Sequence, residues 1–125
     1  MRSEFWDKIL ESTGEENGKK LPFFSLAPME AVTDVVFRHV VTKAARPDVY
    51  YTEFTNSSSF ASPKGIHSTR GRLTFTPDEQ PIIAQIWGSR PADIKFMSEK
   101  LPELGYQAID INMGCPDKAV IKSGG

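Results

Sequence analysis

One cysteine in 125 residues cannot close an internal disulfide, which excludes a disulfide-stapled secreted scaffold. No apolar run approaches the roughly 20 residues needed to cross a bilayer. The opening segment Met1-Arg2-Ser3-Glu4-Phe5-Trp6-Asp7-Lys8 lacks the apolar core of a signal peptide, so cytoplasm is the expected compartment. Neither sign of charge is in excess: 15 basic residues face 16 acidic ones, for a formal net charge of -1. Any surface for nucleic acid or membrane must then be a local patch. There are two histidines, His39 and His67, and no Cys-x-x-Cys or His-x-x-x-His spacing, so no metal site is expected. Neither Gly-x-Gly-x-x-Gly after the first strand nor Gly-x-x-x-x-Gly-Lys-Ser/Thr is present, so the two common glycine-rich phosphate loops have no fingerprint here.

What is present is a globular composition, 39% hydrophobic and 25% charged, with alternating strand and helix patterns. Phe5, Trp6, Ile9 and Leu10 recur at helical spacing, and a polar linker from Gly14 to Lys20 follows. Residues 1–20 read as a helical leader and linker packed on the domain exterior, and 21–125 as one domain. Leu21 to Leu26 reads as a first strand. Thr33 or Asp34 can cap a helix whose rows Val36, Val40, Ala44 and Phe37, Val41, Ala45 form a core-facing stripe. Val49 to Phe54 reads as a second strand. Residues 56–76 form an excursion with irregular or short helical pieces, and loops of that length are usually functional.

Pro81 to Trp87 is a near-continuous apolar run, as for a strand buried on both faces, with Gln85 its one polar side chain. Pro91 opens a helix with a buried row at Ile94, Met97 and Leu101; Pro102 ends or kinks it, and Gly105 suits a helix stop. Gln107 to Ile111 is the fourth strand. This alternation predicts a parallel sheet with crossover helices, either a small open sheet or half of an eight-stranded barrel. The last residues, Lys122-Ser123-Gly124-Gly125, read as an unfinished loop, and the chain as the front part of a longer protein.

Chemistry-bearing residues fall at strand ends: Pro28-Met29-Glu30 after the first, Gln85 near the end of the third, Asn112 and Cys115 after the fourth. In a barrel these ends converge on one mouth. Pro28 and Met29 can present backbone groups and a thioether to a flat ring. Gln85 and Asn112 carry the donors and acceptors that suit the edge of a heterocycle. Cys115 lies in the turn Asn112-Met113-Gly114-Cys115-Pro116; a general acid there needs the thiol, a nucleophile the thiolate. Lys64, His67, Arg70 and Arg72 could meet phosphates, though a solvated loop is the commoner reading of such a run.

Leu26 to Asp34 (Leu-Ala-Pro-Met-Glu-Ala-Val-Thr-Asp), Tyr51-Thr52-Glu53-Phe54, Ile83-Ala84-Gln85-Ile86 with Gly88-Ser89, and Asp110 to Pro116 together resemble the tRNA-dihydrouridine synthases. The resemblance covers about residues 21 to 125, roughly the first third to half of a family member. It implies a flavin-dependent (β/α)8 TIM barrel, of which this chain covers about the first four strands, followed by a helical domain. It implies that NADPH reduces FMN, that the flavin N5 passes a hydride to C6 of particular uridines in tRNA, and that a cysteine protonates C5. By the same match Cys115 is the proton donor, Pro28, Met29 and Glu30 lie against the flavin, Gln85 bonds its ring edge, and Asn112 contacts flavin or uracil. A target uridine must leave its stack to enter such a pocket.

Ala31 departs from the glycine the family usually has there. The family's later flavin-binding lysine and histidine, its glycine-rich phosphate site and its helical tRNA-binding domain have no counterpart before Gly125. Half a barrel exposes sheet edges, so residues 1–125 alone are expected to fold poorly and be inactive. Two other readings compete: a small-molecule pyrimidine oxidoreductase of the dihydroorotate dehydrogenase type, and a non-enzymatic RNA-binding module using the 56–76 excursion.

Overall fold

A computed structural model describes residues 3–123. Helix α1 (Glu4–Ser12) begins where the helical spacing of Phe5, Trp6 and Ile9 predicts. One face of it packs on the sheet: Ile9 is buried against Val49 and Ile83, with Phe5, Trp6 and Phe23 around them. The segment expected to be a linker is a hairpin, β1 (Glu15–Glu16) with β2 (Lys19–Lys20), paired antiparallel. Its turn residues Asn17 and Gly18 have φ of 53° and 74°, the left-handed pair that a two-residue hairpin turn requires.

Strand β3 (Ser25–Leu26) is shorter than the expected first strand. Helix α2 (Val35–Ala44) follows, capped by Asp34, whose Oδ1 accepts the Phe37 N–H at 2.8 Å. Next come β4 (Val49–Tyr51), β5 (Thr55–Asn56), α3 (Ser57–Ala61) and α4 (Gly65–Thr69), the last two being the short helices expected in the excursion. A 3-10 turn at Pro77–Glu79 leads into β6 (Ile82–Trp87), and α5 (Pro91–Lys100) starts at its proline. A second 3-10 turn, Leu101–Leu104, begins where Pro102 interrupts the helix and stops at Gly105, φ +95°. Strand β7 (Ala108–Ile111) and helix α6 (Lys118–Lys122) complete the described residues.

Among the described residues, all pairings outside the hairpin are parallel: β3 with β4, β4 and β5 with β6, and β6 with β7. Strands in chain order, joined by crossover helices, make this the α/β architecture of a partial (β/α)8 barrel. β6 is buried along both faces. Ile82, Ala84 and Ile86 pack with Met97 and Leu101 of the α5 region, Tyr50 and Phe60, whereas Ile83 faces Ile9 and Val49. Alternation puts Gln85 on the Ile83 face.

The second strand is interrupted. Tyr51 is opposite Ile83 and Thr55 opposite Ile86, so four steps along this strand match three along β6. The extra residue makes Thr52–Phe54 a β-bulge on the edge of β6 away from β7. A strand read from propensity alone, running unbroken from Val49 to Phe54, misses it.

The expected stripe of α2 is also corrected. Val36 and Val40 are 67% and 60% exposed, while Arg38 is 1% exposed. Arg38 donates from Nε to Glu79 Oε1 at 2.5 Å, and from Nη1 and Nη2 to the Thr33 and Thr74 carbonyls, both at 2.8 Å. Glu79 Oε2 in turn accepts the Thr76 N–H at 2.5 Å. A buried ion pair has taken the inward face of the helix, which turns the valine rows away from it.

Candidate active site at the carboxyl ends of the strands

The loop after β3 is built by its own polar groups. Thr33, buried, accepts the Met29 N–H on its hydroxyl at 2.9 Å and donates to the Met29 carbonyl at 3.2 Å. This leaves Met29 projecting, 59% exposed. Ala31 adopts φ +59°, in the left-handed region that costs an L-residue strain. The methyl at the position where the resemblance expects glycine therefore sits on a conformation glycine adopts more readily. The Ala31 N–H donates to Glu53 Oε1 at 2.6 Å.

The bulge supplies the next connection. Thr52 is fully buried, and its Oγ1 accepts the backbone N–H of Gln85 at 3.1 Å. A hydroxyl here takes the place of the ladder carbonyl that an unbroken strand offers. Gln85 sits opposite Asp110 in the β6–β7 register. Its Nε2 donates to Asp110 Oδ2 at 2.6 Å, and its Oε1 accepts from Asn112 Nδ2 at 3.4 Å. Asn112 Oδ1 accepts the N–H groups of Gly114 and Cys115, each at 3.2 Å, an Asx turn that fixes the approach to the thiol. Asp117 then caps α6, accepting from Ala119 N at 2.7 Å.

These bonds run from Ala31 to Glu53, through the adjacent Thr52 to Gln85, and on to Asn112 and Cys115. All four sequence motifs lie on this chain of contacts. Cys115 is half-buried and free. It shares a cleft of about 550 Å³ with Glu30, Arg72, Trp87 and Thr55. Pro28, Met29, Gln85 and Asn112 are not in the wall of that cleft; Met29 precedes Glu30 in its wall, and Asn112 adjoins it through the Cys115 N–H. Thr55 Oγ1 is buried and finds no partner among the described residues, so the cleft wall holds an unused hydroxyl.

Of the basic residues in the excursion, only Arg72 lines this cleft. It pairs with Glu30, with Nε to Oε2 at 3.4 Å. That hydrogen bond is the main reason the Arg72 pKa lies above the usual guanidinium value. His67 and Arg70 line a separate hollow beside Phe75 and Leu104. His39 is a half-exposed surface residue, its Nδ1 3.8 Å from Asp78 Oδ2. Among the described residues, no helix is long and apolar enough to cross a membrane.

Sequence reasoning missed Thr52, Glu53 and Thr55 as parts of the site. Their one legible signal was Tyr51-Thr52-Glu53-Phe54 itself, which carried resemblance but no assigned role. Only the register of the bulge shows why polar residues interrupt that strand.

Comparison with known proteins closes the description. Residues 25–125 match the family model "Dihydrouridine synthase (Dus)". The chain is similar to a "Probable tRNA-dihydrouridine synthase" of Staphylococcus aureus (strain COL), 53% identical over 124 residues, covering 99% of this chain and 35% of that protein. It is similar to a "Probable tRNA-dihydrouridine synthase 2" of Bacillus subtilis (strain 168), 62% identical over 103 residues, covering 82% of this chain and 32% of that protein. The chain thus spans about a third of the length of these curated relatives.

Proposed function

The chain belongs to the dihydrouridine synthase family, and from that premise we propose that it serves the flavin-dependent reduction of particular tRNA uridines to 5,6-dihydrouridine. The observation that carries the proposal is the continuous set of contacts joining the loop at Pro28–Glu30, Gln85, Asn112 and Cys115. A site that must hold a flat ring and present a proton at a fixed point needs its donors set before the ligand arrives.

The donor set fits FMN. Gln85 on β6 and Asn112 just past the end of β7 are primary amides, and among the described residues each spends one of its two side-chain N–H groups, leaving one for the oxygens and nitrogens of a ring edge. Met29 is exposed, so its thioether is free to lie against an aromatic face. When bound, FMN would supply hydride chemistry for the uracil C5–C6 double bond, with NADPH as its reductant. Gln85 orients the ring edge, with Asp110 and Thr52 holding Gln85. Asn112 shapes the turn that carries Cys115. The Cys115 thiol donates its proton to C5, and the cleft shared with Trp87 and Arg72 receives the unstacked base. The products are dihydrouridine and a thiolate that is reprotonated from solvent. The substrate is tRNA and the compartment is the cytoplasm.

The test uses a protein extended to the relatives' full length. Its absorbance is followed during anaerobic mixing with NADPH and then unmodified tRNA. Flavin bands bleached by NADPH and restored by tRNA, but not by orotate-type pyrimidines, are expected. Reoxidation by a small pyrimidine and not by tRNA favours the dihydroorotate dehydrogenase type of enzyme. A well-folded protein with no flavin leaves only the RNA-binding reading.

A further inference from the structure

We propose that Glu53 is a positioning residue that holds the Pro28–Glu30 loop in its ring-binding shape through the Ala31 backbone. This rests on the flavin reading of that loop and adds a residue with no role in it so far.

Three observations meet at this point. Ala31 has a positive φ, 59°, without being glycine. Its N–H has a short bond, 2.6 Å, to Glu53 Oε1. Glu53 is 7% exposed, an acid whose burial needs compensation; the Arg72 guanidinium is within electrostatic reach of it, and the Ala31 N–H is the hydrogen bond its carboxylate gives to the loop. The bulge explains how the acid gets there: the extra residue between Tyr51 and Thr55 breaks the period-two alternation and re-aims a side chain, as bulges near active sites do.

The two neighbours Thr52 and Glu53 then act in opposite directions along the sheet. Thr52 holds the Gln85 backbone and Glu53 holds the Ala31 backbone. The loop after the first strand and the polar edge on the third strand are thereby set from one bulge. A residue in the left-handed region persists only where its surroundings over-determine it; the Met29–Thr33 bonds close the turn from within, and the Glu53 bond is the side-chain contact that holds Ala31 from outside it. The substitution of alanine for the expected glycine makes that bond more necessary in this chain.

The test is a second-site rescue in the protein extended to its relatives' length, read by FMN affinity from fluorescence quenching and by amide hydrogen exchange at Ala31. Glu53→Ala is expected to weaken FMN binding about ten-fold, the scale of losing one good hydrogen bond, and to speed exchange at Ala31. Glu53→Gln, which keeps an acceptor, is expected to stay within about three-fold. Adding Ala31→Gly to Glu53→Ala is expected to recover most of the affinity, because glycine enters the left-handed region without the strain that the Glu53 bond offsets in alanine. A general loss of packing is not rescued that way. If Glu53→Ala does not fold, Glu53→Asp, one methylene short of the Ala31 N–H, replaces it in the same pair of measurements. FMN affinity equal to the parent in Glu53→Ala, or no recovery on adding Ala31→Gly, overturns the proposal. If the parent binds no FMN, the flavin reading itself has failed. Exchange at Ala31 then decides alone: faster in the variant supports the positioning role, unchanged refutes it.

Discussion

Two arginine–glutamate pairs join the stretch around α2 to the segment between β5 and β6, and they are opposites in surroundings. Arg38 and Glu79 are 1% and 0% exposed, and the guanidinium spends its donors on Glu79 and on two carbonyls. Arg72 and Glu30 have side chains 42% and 41% exposed and line the cleft with Cys115. The first pair is enclosed and out of a ligand's reach. Its worth lies in the penalty for breaking it, since a lone buried charge is far costlier than the pair is favourable. The second pair is weak by the usual standard of exposed ion pairs and can be exchanged for a better anion. One kind of contact thus fixes the frame and the other keeps a charge within reach of the site.

Breaking the first pair should produce the largest effect. Arg38→Ala strands Glu79 and is expected to cost about 3–5 kcal/mol, measured by denaturant unfolding of the extended protein. Replacing both partners together, Arg38→Met with Glu79→Leu, should recover most of that loss. If the double variant is as unstable as the single one, the pair is not the source of the cost.

The same buried region sharpens the comparison through pH. Tyr106, whose hydroxyl donates to the Leu73 carbonyl at 2.9 Å, is pushed far above the ordinary tyrosine value of 10.0, chiefly by burial; Glu79 adds to this and Arg38 opposes it. In the folded state the phenol stays protonated where the unfolded chain ionises, so the native form binds more protons above that value. Stability contributed by Tyr106 is therefore complete below about pH 10 and falls as pH climbs beyond it. Tyr106→Phe should flatten that alkaline fall, and an unchanged slope in a pH series of unfolding midpoints contradicts the assignment.

Smaller effects belong to the cleft side. Ala31→Gly relieves a left-handed alanine at an entropic cost in the unfolded chain, for an expected gain of up to about 1 kcal/mol. Arg72→Ala should move stability least, by about 0–1 kcal/mol. It should instead weaken tRNA binding and lower the salt slope of that binding by about 1. A loss of stability as large as that of Arg38→Ala would erase the distinction between the two pairs.

What was legible in the sequence was local. The apolar run of β6 and the buried row of α5 follow from period and composition. Asp34 as a cap and Gly105 as a stop follow from terminus chemistry. The thiol turn could be read because Asn112, Gly114 and Pro116 shape it within five residues. What escaped depends on distant partners. The rows of α2 point outward because Glu79, 41 residues away, claims Arg38 for the inside. The bulge at Thr52–Phe54 exists only in the register against β6, so propensity reads one strand through it. The hairpin at Glu15 to Lys20 carries an Asn-Gly signal, but its flanks are charged rather than alternating, and composition read them as linker.

The most direct test of the account is a single-turnover experiment with Cys115→Ala in the extended protein, its FMN reduced beforehand and then mixed anaerobically with unmodified tRNA. If Cys115 is the general acid as proposed, flavin reoxidation by tRNA is slowed by about 10²–10⁴-fold, with FMN affinity unchanged because Cys115 only adjoins the residues proposed to bind the ring. Reoxidation at the parent rate, with dihydrouridine formed, would remove Cys115 from the chemistry and contradict the account.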